Sequence, residues 1–176
     1  MRTYLRNRTP GGVYFFTVNL AERRGNSLLT NSIDLLRAAF KETLADHPVD
    51  MDAIVVLPDH LHCLWRMPQA DVNYATRWRL IKARFSQSLA KTEPRSNSRV
   101  RKGERGVWQR RFWEHLIRDD EDFARHLDYI HYNPVKHGCA ARAADWPYST
   151  FQKWVKRGVY AEDWGTAGAT HGFDRE

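Results

Sequence analysis

Cysteine is almost missing from this chain: of 176 residues, only Cys63 and Cys139 carry a thiol. Two widely separated thiols make neither a disulfide framework nor a CxxC zinc site, and they point to a reduced, cytoplasmic setting. No uninterrupted apolar stretch approaches the ~20 residues of a membrane-crossing helix, so no membrane role is expected. The basic start, with Arg2, Arg6 and Arg8, is not followed by an apolar segment of signal-peptide length. No internal repeat is present. Acid is in deficit, with 21 Asp and Glu against 28 Lys and Arg and a net charge of +7. A basic balance of this size favours a polyanionic partner.

The length suits one domain over 1–176, with a basic arm at 1–12 and an irregular tail at 158–176. Residues 13–20 are rich in β-branched and aromatic side chains and read as a buried strand. Asn31 or Ser32 caps a helix whose apolar positions Ile33, Leu36, Phe40 and Leu44 keep helical spacing to about Asp46, before Pro48. Residues 51–57 and 60–67 read as two strands joined by a Pro58-Asp59 turn. A second helix covers about 71–90, with Tyr74, Trp78, Ile81, Phe85 and Leu89 as its stripe. Residues 93–106 have no periodicity and are expected to form a mobile loop. A fourth strand starts near Trp113. The acidic run 119–122 opens a third helix, where the helix dipole favours it. Pro134 is expected to end that helix, and a short helix covers about 150–156.

The order strand-helix-strand-strand-helix-strand, then an extra helix, is that of the split βαβ unit. It predicts an α+β fold: a ferredoxin-like antiparallel sheet with the extra helix across its open face.

Two segments carry chemistry. In His60-Leu61-His62 the imidazoles fall on one face of a strand, because side chains alternate. Two imidazoles are too few for a closed zinc site but suit a labile Mg²⁺ or Mn²⁺ completed by an oxygen ligand, water and a substrate phosphate. On the third helix, His126, Tyr129 and Asn133 form one stripe beside the apolar Phe123, Leu127 and Ile130. Tyr129 is then a nucleophile for phosphodiester chemistry, and Asn133, one turn on, offers an amide oxygen to the metal. His126 is a base candidate on geometry alone. The blander alternative makes Tyr129 packing and Asn133 a C-cap before Pro134.

Between Arg84 and Arg118 stand ten Lys/Arg and three Asp/Glu, interleaved with Phe85, Trp108, Phe112 and Trp113. That mixture suits phosphate contact with base stacking. The residues expected to bind DNA are Arg2, Arg6, Arg8, Arg77, Lys82, Arg84, Arg110 and Arg111.

Four segments taken in order, 57–65 (LPDHLHCLW), 108–118 (WQRRFWEHLIR), 128–138 (DYIHYNPVKHG) and 145–150 (DWPYST), resemble the REP-associated tyrosine transposases. These are single-tyrosine HUH proteins related to the insertion-sequence transposases that move single-stranded DNA. The resemblance spans about 13–151. It implies the HUH form of the ferredoxin-like fold and metal-dependent cutting and rejoining of single-stranded DNA through a 5′-phosphotyrosine. The substrates it implies are hairpin-forming REP-type repeats beside a short recognition tetranucleotide. Matched by position, His60 and His62 are the metal ligands and Tyr129 the nucleophile. The insertion-sequence relatives carry Gln four residues after the tyrosine; here that position is Asn133, one carbon shorter. Those relatives are dimers, whereas the REP-associated group implies a monomer. Two rivals stand beside this reading. One is a non-catalytic module that binds single-stranded nucleic acid. The other is a metallonuclease in which metal-bound water attacks.

Overall fold

The computed structural model describes residues 8–93 and 95–168. Arg2, Arg6 and most of the basic arm lie outside them. In chain order the elements are β1 (Val13–Asn19), α1 (Leu28–Asn31), α2 (Ile33–Asp46), β2 (Asp50–Val56), β3 (His60–Arg66) and α3 (Tyr74–Ser88). There follow α4 (Asn97–Arg101), β4 (Trp113–Leu116), α5 (Asp120–Lys136), a 3-10 turn (Ala143–Asp145) and α6 (Phe151–Lys156). The strands form one antiparallel sheet in the order β2-β3-β1-β4. This is the ferredoxin-like α+β arrangement that the element order predicts.

Alternation along the strands splits the core in two. Tyr14, Phe16 and Val18 of β1, with Leu61, Cys63 and Trp65 of β3, turn to one side and bury against α2 and α3. There Trp65 and Trp78 stack with ring centroids 4.3 Å apart. Phe15, Val55 and Leu64 turn to the other side, where Leu127 and Ile130 of α5, Phe151 of α6 and Tyr160 cover them. Each of these layers removes apolar surface worth ~25 cal/mol per Å². The face that a four-stranded sheet leaves open is thus closed by α5, the helix bearing Tyr129.

Two local expectations are corrected. α5 does not stop at Pro134 but runs through it to Lys136. Proline lacks only its own N–H, and the chain instead leaves the helix at Gly138, whose φ of +67° is the left-handed exit glycine supplies without strain. The 93–106 segment contains α4, and Arg105 ties it down. That guanidinium grips the Glu93 carboxylate and donates to the carbonyls of Ser86 and Ala90 at the end of α3. A short turn, α1, precedes α2, and Ser32 stands at the N-cap of α2, one of the two positions expected there.

His131 is a buried joint between α5 and the C-terminal part. Its ring lies 3.0 Å from Thr150 Oγ and 3.4 Å from the Tyr160 hydroxyl. Burial holds its pKa down at about 3, against an ordinary 6.5. Between about pH 6.5 and 3 the unfolded chain therefore takes up a proton that the folded chain refuses. Stability contributed by this group is complete above pH 6.5 and falls as pH drops, by at most ~1.4 kcal/mol per pH unit. Urea titrations across this range are expected to show that slope, and His131→Gln is expected to flatten it.

Candidate active site

β3 begins where the Pro58-Asp59 turn delivers the chain back to the sheet, so His60 and His62 stand at the start of a central strand. β1 pairs beside it, with Asn19 opposite His60 and Thr17 opposite His62. Both imidazoles are buried, and their rings stand 5.0 Å apart and nearly perpendicular. Each is aimed by a hydrogen bond at Nδ1. His60 Nδ1 donates to Asp59 Oδ1 at 2.5 Å, and Arg23 holds the same carboxylate from the other side at 2.6 Å. His62 Nδ1 lies 2.8 Å from Thr17 Oγ. Outer partners of this kind fix tautomer and ring direction and leave Nε2 to face the site. Burial pushes the His62 pKa well down, reinforced by the charges of His60, His137, Arg23 and Lys136. Burial also lowers that of His60, against the pull of Asp59. Both rings are thus held in the neutral form that a metal ligand requires.

α5 lies across this end of β3. The Tyr129 ring sits 5.2 Å from that of His62, and the His137 ring, just past the helix end, sits 5.1 Å from that of His60. Asn133 lies midway between residues 129 and 137 on the same stripe, one turn from each. It is fully buried; its amide nitrogen donates to the Tyr129 carbonyl at 3.3 Å, and its Oδ1 has no partner. His62 Nε2 is buried and unpartnered as well. Leaving a buried polar atom unsatisfied costs ~1–3 kcal/mol, so two on facing elements call for an explanation. A divalent cation supplies one: two imidazole nitrogens and an amide oxygen are a fitting three-sided donor set that leaves positions open.

Around Tyr129, Lys136 places its ammonium 5.1 Å from the ring centroid, and Phe15 packs edge-on at 5.8 Å. His126 lies 4.7 Å from the same Phe15 ring, with its Nδ1 directed at the Asp122 carbonyl. The Asp122 side chain is buried and accepts from His115 Nε2 at 2.8 Å and from the Arg118 backbone N–H at 3.0 Å. Burial would raise its pKa, but these donors outweigh burial and hold it well below the ordinary carboxylate range. His115, Asp122 and His126 converge closely enough to suggest a second metal cage. The polar atoms are already spent on one another, however: His115 Nε2 lies 2.8 Å from Asp122 Oδ2 and His126 Nδ1 2.8 Å from the Asp122 carbonyl, with the two rings stacked at 4.7 Å. The cluster acts as a clamp between β4 and α5.

The basic residues divide. Arg77 is buried and faces inward, a correction to its expected role on a DNA face. Its guanidinium donates to the carbonyls of His47, Pro48 and Asn73 and to Asp71 Oδ2 at 2.7 Å. It staples α3 to the end of α2. Arg77→Ala is expected to cost roughly 2–4 kcal/mol in thermal or urea unfolding, because the carbonyls lose their donors, with no loss of DNA affinity per folded molecule. Lys82 donates to the Gln109 carbonyl, Arg84 to Thr43 Oγ, and Arg110 to Glu104. Arg8 and Arg111 are exposed.

Thr17, Arg23, Asp59, Lys136 and His137 escaped the sequence reading. Asp59 sits beside His60 in sequence and was legible as its partner. Thr17 needed the strand register.

The chain matches the family model for IS200-like transposases over residues 12–133. An Escherichia coli REP-associated tyrosine transposase is 43% identical over 164 residues, 93% of this chain and 91% of the relative. A Haemophilus influenzae protein assigned to the same group is 50% identical over 166 residues, 94% of each. The structure of a REP-associated tyrosine transposase bound to a REP hairpin superposes with a TM-score of 0.80 at 41% identity, covering 97% of this chain and 95% of that one. With fold and relatives in agreement over nearly the whole length, this chain belongs to the REP-associated tyrosine transposases of the IS200-like family.

Proposed function

We propose that this protein cuts and rejoins single-stranded DNA beside hairpin-forming REP-type repeats, with Tyr129 as the nucleophile. The observation that carries the reading is the pair of buried, unpartnered atoms, His62 Nε2, whose ring lies 5.2 Å from that of Tyr129, and Asn133 Oδ1, one turn along α5 from Tyr129. The hairpin-bound relative supports the substrate class.

Tyr129 Oη attacks a phosphodiester phosphorus. The new O–P bond forms as the P–O3′ bond breaks, the 3′ oxygen leaves with a proton, and the 5′ side stays on the tyrosine. A phenol is an adequate leaving group, so a 3′ hydroxyl reverses the step with no external energy source. His60, His62 and Asn133 would hold Mg²⁺ or Mn²⁺, which when bound supplies Lewis-acid polarisation of a non-bridging phosphate oxygen. Two imidazoles in the set tilt preference toward Mn²⁺ over the harder Mg²⁺. Asp59 and Thr17 keep the imidazoles in the ligating tautomer. Lys136, beside the Tyr129 ring, adds positive charge where phosphate arrives. Phe15 and the packed face of α5 hold the phenol in place, so little orientation is lost on binding.

The test is a denaturing gel with labelled REP-type hairpin oligonucleotides, in Mn²⁺ and in EDTA. A protein–DNA band that survives SDS and depends on Mn²⁺ is the expected result. Cleavage with no protein-linked product would replace the reading with a metallonuclease. Binding without cleavage would replace it with a binding module.

A further inference from the structure

We infer that Trp113 is a stacking platform for an unpaired nucleobase of the strand entering this site, an inference that rests on the proposed reading of the site as one acting on single-stranded DNA. Of the seven tryptophans, Trp65, Trp78 and Trp108 are buried, and Trp146, Trp154 and Trp164 are half-buried. Trp113 is 50% exposed, and among the described residues it is the one aromatic in the set of exposed large hydrophobic side chains. An exposed indole forfeits the burial that makes tryptophan stabilising, which calls for an external partner.

Its place names that partner. β4 is an edge strand, and Trp113 is paired with Thr17, which is itself paired with His62. His62, Thr17 and Trp113 therefore form one row across three strands on the face that α5 covers. Strands lie ~4.8 Å apart, so the row runs roughly 10 Å from the metal ligand to the sheet edge. At ~3.4 Å per stacked nucleotide, that is a reach of a few nucleotides from the scissile phosphate.

The indole is also fixed in plane. Its edge meets Phe15 at 5.7 Å, and Phe15 in turn touches both His62 and Tyr129. His115 stacks beside it at 5.9 Å and 7°, and His126 stacks on His115. An aromatic already immobilised loses little freedom when a base settles on it. Arg111, two residues before it, is exposed, and the Arg118 guanidinium at the far end of β4 is 66% exposed. Arg118 shares the Asp122 carboxylate, and the acids at 119–121 stand at that far end, whereas Trp113 pairs toward the histidine end. An aromatic plane flanked by a cation fits a base and its phosphate and is tolerant of base identity.

The experiment uses cleavage-blocked Tyr129→Phe protein and REP-type hairpins carrying 2-aminopurine at each unpaired position in turn. One position is expected to be quenched with Trp113 present, to lose that quench in Trp113→Ala, and to keep it in Trp113→Tyr. Trp113→Ala is expected to weaken binding roughly 5- to 100-fold. An abasic nucleotide at the quenched position should cost the same and add nothing further to Trp113→Ala, since both remove one contact. Quenching independent of Trp113 at every position, or losses that simply add, would overturn the inference. A melting curve like that of the parent shows that Trp113→Ala folds. Failure of the adduct assay with the Trp113-dependent quench intact would overturn the cleavage reading alone.

Discussion

Tyr129→Phe is expected to remove all SDS-resistant adduct and all strand cleavage while leaving hairpin affinity within about twofold. The substitution deletes one oxygen and keeps the ring. That ring is what the structure uses: it is half-buried, meets Phe15 and His62 edge-on and lies beneath the Lys136 ammonium. Packing and the cation–π contact survive in phenylalanine, so the melting temperature should move little. The proposed nucleophile has no substitute among the described residues, where no other hydroxyl touches the imidazole pair from the α5 side. His137 and Lys136 are there, but an adduct on either would be a phosphoramidate, whose acid-labile P–N bond distinguishes it from a phosphotyrosine ester. The measurement is a denaturing gel beside a native gel on the same samples. A residual adduct in Tyr129→Phe would move the nucleophile elsewhere. Loss of native binding would mean that the phenol holds substrate rather than attacking it.

Much of this was readable before any coordinates. The alternation in 60–65 assigns His60, His62 and Leu64 to one face and Leu61, Cys63 and Trp65 to the other, and the two core layers divide that way. The stripe His126, Tyr129, Asn133 beside Leu127 and Ile130 places α5 with its apolar side on the sheet. Both patterns are local periodicities, and periodicity is what a single sequence records best. Arg77 shows what it records poorly. Its position off the apolar stripe of α3 suggested solvent, but four carbonyl and carboxylate acceptors from the end of α2 and the start of α3 surround it. Burial of a cation is decided by partners elsewhere in the chain, which periodicity cannot show. Thr17 is the same lesson at the site, since its bond to His62 depends on register between strands far apart in sequence. Pro134 misled for a local reason: a proline near a helix end removes one bond and need not remove the turn. The glycine four residues later was the better stop signal.

Asn133→Leu is expected to move stability and activity in opposite directions. In the folded protein the Asn133 amide is fully buried, its nitrogen makes one long bond to the Tyr129 carbonyl, and its oxygen has no partner. Leucine has the same branched side chain of four heavy atoms, bulkier at its two methyl groups, and carries no polar atom to strand. The deleted oxygen was costing ~1–3 kcal/mol of desolvation, while the lost 3.3 Å bond was weak and its acceptor lies inside a helix. The metal-free protein should therefore gain about 1–2 kcal/mol, a rise of roughly 2–8 °C in melting temperature for a chain of this size. Cation binding should suffer at the same time, since the proposed set loses one of its three donors. Manganese raises the melting temperature of whatever binds it in the folded state, by an amount that grows with concentration over dissociation constant. That rise should be present in the parent and largely absent in Asn133→Leu. Cleavage should fall at least ~100-fold, the scale on which lesser changes around metal ligands already act. Asn133→Gln separates reach from chemistry: it restores the amide one carbon further out and should recover part of the manganese response. A residue retained for packing alone gives the reverse pattern, with melting temperature lowered by leucine and the manganese response untouched. Such a result would remove Asn133 from the metal site and leave the two histidines as its only protein donors.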